Sequence, residues 1–160
     1  MMRDVFAAGV AMNTKQSKKG HLEAAASHHE QAARFHREAS QYYEAGNNLD
    51  HAAHQAVLAH GHALHAIDEA NVAAKHAGAP SAPAGSVEID LTAAQHHAAA
   101  SELHVQAAQH LRRAVKLFDA DRSACAHESQ LGFALALRAV AHGNEAAKQH
   151  VTTQRETGAS

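Results

Sequence analysis

From Ser17 to Ala45, histidine and large apolar side chains return as adjacent pairs every seven residues: His21-Leu22, His28-His29, Phe35-His36, Tyr42-Tyr43. At about 100° per residue, Leu22, Ala26, His29, Ala33, His36, Ser40 and Tyr43 form one narrow seam. His21, His28, Phe35 and Tyr42 flank it, and Glu23, Glu30, Arg34, Arg37, Glu38, Gln41 and Glu44 take the opposite side. So broad an inward face predicts a bundle helix that touches two neighbours.

Punctuation sets the other elements. Gly46 is a good left-handed terminator, and Asn47 or Asn48 caps a second helix that runs to about Ala77. The stretch AGAPSAPAGS, 77–86, holds both prolines and breaks the pattern. Asp90 or Thr92 starts a third helix, Thr92 with Gln95 matching a capping box. It ends at about Ala120, and Asp121 can cap a fourth helix reaching about Val151. The expectation is an all-α chain, a four-helix bundle built from two tandem helical hairpins. A flexible segment 1–16 precedes the first hairpin (17–78), a linker spans 79–90, and the second hairpin (91–151) is followed by a flexible tail, 152–160.

The hairpins read as copies of one another. Shifting the first helix by 75 positions lays HHEQAARFHREASQYYEA over LHVQAAQHLRRAVKLFDA, with His29, Gln31, Ala32, Ala33, Arg37, Ala39 and Ala45 on identical residues. AAKH at 73–76 recurs as AAKQH at 146–150. Histidine trades places with large apolar residues between the copies: Leu22 matches His97, His28 matches Leu103, Phe35 matches His110, His36 matches Leu111. That exchange marks most of these rings as inward packing residues.

Composition narrows the function. The 160 residues carry 14 basic and 16 acidic side chains, so no standing charge calls for nucleic acid or a membrane as partner. The 17 histidines make that balance depend on pH. The 41 alanines favour helix but bury little area, which predicts a thin core. One cysteine, Cys125, forms no internal disulfide, and no segment reads as a signal sequence or a membrane span. A cytoplasmic protein is expected.

Two histidine sets are candidate metal ligands. His29 and His36 lie on the first seam. If Gly46 marks the turn, His60, on an apolar stripe with Leu49, Ala53, Ala56, Leu64, Ile67 and Ala74, falls between their levels, with His104 as a fourth member. The second helix also carries two HxxH pairs, His51-His54 and His62-His65, whose i, i+3 spacing makes them surface neighbours able to chelate one ion. Imidazole suits Cu(II), Ni(II) or Zn(II). No glutamate has histidine three places later, as a di-iron carboxylate bundle needs, and no phosphate loop, GxSxG or HExxH motif is present.

The run HHEQAARFHREASQYYEAGNNLDHAAHQAVLAHGHALHA resembles the short His/Ala-rich helical proteins of proteobacteria. It is similar in style to the small metal-binding proteins of nitrifying bacteria, closely over 20–78 and more loosely over 92–150. The resemblance implies binding of divalent copper and related ions by His21, His28, His29, His36, His51, His54, His62 and His65. The fourth helix, with LGFALALRAV at 131–140, reads as structural.

The expected function is therefore non-enzymatic binding or buffering of Cu, Ni or Zn ions. The alternative is a structural or interaction bundle, dimerising through alanine-rich faces, with a pH-sensitive histidine seam.

Overall fold

The computed structural model describes residues 2–74 and 90–158, the side chains at 2–17, 74 and 157 excepted. It is a bundle of four helices: α1 (Met2–Ala45), α2 (Leu49–Ala74), α3 (Ala93–Leu117) and α4 (Arg122–Gly158). No strand occurs among the described residues, and none of these helices is long and apolar enough to cross a membrane. The first and last helices extend past the expected bounds, α1 beginning at Met2 and α4 running to Gly158. The expected linker lies almost wholly outside the described residues, as does His76.

The caps follow from local chemistry. Gly46 takes φ +70°, where a Cβ would be strained, and its N–H donates back to the carbonyls of Tyr42 and Tyr43. Asn48 is left-handed too (φ +49°), and its side-chain oxygen accepts from the N–H of His51. Thr92 and Gln95 form the expected capping box: each backbone N–H donates to the other's side-chain oxygen, at 3.0 and 3.2 Å. Asp121 accepts from the N–H of Ala124 and starts α4.

α1 packs on α2 and on α3, and α3 on α4, whereas α2 and α4 touch only lightly. Across the α1–α3 seam His29 meets His104 and His36 meets His97, so the two helices run antiparallel. That register turns the duplication into a pseudo-two-fold axis. His29 and His104 are the same position in the two copies, and they face each other on it. The partner of the His36–His97 pair under this symmetry is Leu111 with Leu22, and both leucines lie buried in one cluster with Phe118 and Cys125. The second and fourth helices match with a shift of 73 positions, two fewer than the first and third: Leu49 answers to Arg122, and α3 ends at Leu117, three residues before the match to Ala45. Thus His28–His62 corresponds to Leu103–Leu135, packed in a second apolar cluster.

The core is as thin as the alanine content implies. Beyond alanine, its buried apolar residues among those described are Leu22, Leu103, Leu111, Phe118 and Cys125. Histidine fills the remaining space: the largest fully buried side chains are Leu111, His29, His96, His97 and His104. On α2 the buried stripe is Ala52, Gln55, Ala59, Ala63, Ala66 and Ala70. This corrects the expected stripe through Ala53, His60 and Leu64, the helix being turned by about one residue's 100°. The rings of His28, Phe35 and Tyr42 occupy the α1–α2 seam and leave alanine-sized room on α2, so Leu64 and His60 face outward.

Close helix approach compensates at one place. A Cβ on Gly132 would lie 3.2 Å from the carbonyl oxygen of Ala107 and 3.3 Å from Leu111 Cγ, whereas one on Gly61 would meet nothing within 4 Å. Gly61→Ala should therefore stabilise the bundle by about 0.5–1 kcal/mol through helix propensity alone. Gly132→Val should destabilise it by about 1–3 kcal/mol by prising α4 from α3. Urea unfolding of the two variants checks both signs.

Candidate functional site

The heptad of α1 offers one side to α3 and the adjacent side to α2, and each side carries its own histidines. Toward α3, Nδ1 of His29 lies 2.9 Å from Nδ1 of His104, and Nδ1 of His36 lies 3.0 Å from Nδ1 of His97. All four rings are buried. The ring of His36 also stacks on His104 (centroids 5.4 Å apart, 11° between planes), and His97 stacks on Tyr43 (5.3 Å, 9°). The Tyr43 hydroxyl is hydrogen-bonded to Nδ1 of His150 on α4 at 2.8 Å. A continuous file of six rings thus runs from the centre of the bundle to its end. Beside it, Nδ1 of His96 lies 2.9 Å from Nδ1 of His142.

Ser101 and Ser40 clip the same seam, donating to the carbonyls of Ala33 and Ala94 at 2.7 and 2.8 Å. These bonds hold α1 and α3 at the spacing at which the imidazole pairs meet.

Toward α2, Nδ1 of His28 lies 3.0 Å from Nδ1 of His62. The His65 ring stacks on His28 (5.2 Å, 22°), and Phe35 stacks on the other partner, His62 (5.5 Å, 11°). This group is only part-buried, and His65 is exposed. Farther along α1, His21 pairs with Glu69; on the other hairpin His110 pairs with Glu128 at 2.6 Å.

Burial governs the charge state of the inner file. Desolvation pulls His29 down to about 4, with repulsion from His28 adding to it. His36 is pulled to about 3 by burial, then by His97 and His60. His97 falls to about 4 through burial, His96 and His150, and His104 lies well below its ordinary value for the same reason, with His29 and His36 contributing. These rings are neutral at pH 7. His62 is lowered as well, by partial burial first and then by His28, His65 and Arg34. The Nε2 atoms of His96 and His104 are buried without a hydrogen-bond partner among the described residues.

The expected ligands divide accordingly. His29, His36 and His104 come together as anticipated, but His60, expected between them, is exposed and lies outside the file. His62 and His65 do share a partner, and it is His28 of α1. His51 packs edge-on against Tyr42 (4.5 Å) with its Nε2 beside Gln55, and His54 is exposed, so among the described residues this pair converges on no third histidine. Among the described residues no three His, Cys, Asp or Glu side chains form a ready-made metal-holding group. The contacts of His97, His96 and His142 were not anticipated. The signal for His97 was its match to the inward Leu22; its partner could not be read without the α1–α3 register.

Comparison of the chain with protein-family models, curated proteins and solved structures gave no match.

Proposed function

We propose that the protein binds divalent first-row transition ions, Cu(II), Ni(II) or Zn(II), through paired imidazoles, without catalysing a reaction. The observation that carries this reading is the convergence of four histidine pairs, each Nδ1 to Nδ1, at 2.9–3.0 Å. Two nitrogens at that separation subtend about 90° at an ion bound at about 2.0–2.1 Å, the angle between neighbouring ligands of square-planar or octahedral sites. That angle favours Cu(II) or Ni(II) over tetrahedral Zn(II). Each pair supplies two ligands, and water or a further group completes the shell. His28 and His62, with His65 beside them, are the pair nearest solvent and the first an ion would meet.

The test uses tag-free protein, because a histidine tag binds the same ions. Stoichiometric Cu(II) or Ni(II) should survive dialysis, and the melting temperature should rise with free ion, by about 2.7 kcal/mol of stabilisation at a hundredfold excess over Kd. Substituting alanine at His28, His62 and His65 together should remove more of that gain than substituting His51 and His54. Neither retained ion nor a raised melting temperature would end this reading.

A second reading rests on a separate observation, the near-complete burial of His29, His36 and His97, which lowers their values. In it the bundle is a structural module whose stability is set by pH, and added metal leaves its melting temperature unchanged.

A further inference from the structure

The outer face of the α1–α3 seam holds an open groove of about 640 Å³. Five cations line it: Arg34 and Arg37 on one wall, Arg112, Arg113 and Lys116 on the other. Its only acid among the described residues, Glu30, is gripped at both oxygens by Arg112, at 3.1 and 3.2 Å. Arg34 lies over the Phe35 ring, and Arg37 and Lys116 have no carboxylate partner among the described residues. The floor between the walls is Ala33 and Ala108, small enough to leave it open.

The duplication shows that this charge is one-sided. Arg37 and Arg112 are the same position, and both are cations. Elsewhere the two copies differ: Arg34 answers to Gln109, Arg113 to Glu38, Lys116 to Gln41, and Glu30 to Val105. At each of the first three the cation is the member that lines the groove, save that Gln109 lines it as well. The fourth difference removes the acid that would have met Arg37. A chain with formal net charge −2 has thereby gathered five cations against one acid along the groove, or an excess of three once the Arg113–Glu128 pair at 4.0 Å is counted.

We propose that this groove binds a linear polyphosphate anion. Guanidinium forks match phosphate oxygens two at a time. The α3 wall from Val105 to Lys116 is about 16 Å long at 1.5 Å per residue, which suits a run of phosphates better than a single one. No aromatic side chain lines the groove, so it lacks the stacking platform on which single-stranded nucleic acids are held. What the walls can recognise is a run of anionic oxygens and not the faces of bases.

Fluorescently labelled inorganic polyphosphate, titrated into tag-free protein in EDTA, tests this apart from any metal. Arg37→Gln with Lys116→Gln should weaken binding about tenfold or more and lower the slope of log Kd against log salt by about one per cation removed. Neither side chain holds the fold through a salt bridge, so helicity should stay constant. Glu30→Gln, which removes the acid and releases Arg112, should tighten binding. Arg138→Gln, exposed on α4 away from the groove, should change nothing. An equal loss in the Arg138 variant, no loss in the groove variant, or single-stranded RNA of matched charge bound as tightly as polyphosphate would overturn the proposal.

Discussion

Acidification from pH 7 to pH 5 should unfold the bundle cooperatively, with an uptake of about four protons from His29, His36, His97 and His104 and a further contribution from His62, His96 and His142, which burial also lowers. The sign follows from their depressed values, about 4 for His29 and His97 and about 3 for His36. In the unfolded chain these rings titrate near 6.5; in the folded chain they stay neutral well below that. Under about pH 6.5 the unfolded state therefore binds more protons, and stability falls as pH falls until the folded values are reached. The slope is about 1.4 kcal/mol per pH unit for each ring. Four rings together approach about 5 kcal/mol per unit, comparable with the whole stability of a small domain. Circular dichroism and urea unfolding between pH 8 and 4 measure it. The molecule supplies its own control in the Leu22–Leu111 pair. A His36→Leu, His97→Leu variant should fold at neutral pH and show a slope lower by about 2.7 kcal/mol per pH unit, the share of two rings. An unchanged slope would mean that the buried rings are not the source.

Leucine in place of His29 alone should destabilise the protein at pH 7.5 by about 1–3 kcal/mol, because Nδ1 of His104 then faces hydrocarbon with no partner. The double variant, His29→Leu with His104→Leu, should recover most of that loss, since both polar groups are gone and the two side chains can pack as Leu22 and Leu111 do. The measured coupling should be about 2 kcal/mol in favour of matched pairs. Additive losses would show that the rings act only as filler and that their contact contributes nothing.

The helices could be read from the sequence because their signals are local. Gly46, Asn48, Thr92 with Gln95, and Asp121 each act within a turn, and the heptad of α1 displays both of its inward faces in one stretch. What could not be read depends on how helices meet. The rotation of α2 was misjudged because hydrophobicity favours Leu64 over Ala63, whereas the rings of His28 and Phe35 leave room only for alanine. The pairing of His36 with His97 depends on the antiparallel register of α1 and α3, which no short-range pattern encodes. The groove cations lie scattered over two hairpins, and an overall charge near neutrality hides them.

The axis through His29 and His104 is a symmetry of the chain that its hydrogens cannot obey. A single proton lies between the two Nδ1 atoms, so one ring must be the Nδ1–H tautomer and the other the Nε2–H tautomer. Since Nε2 of His104 is buried without a partner, the cheaper arrangement has His104 donating and His29 accepting, which leaves a lone pair unmatched instead of an N–H. Two residues with a common origin and facing positions should therefore give opposite imidazole nitrogen signatures by NMR.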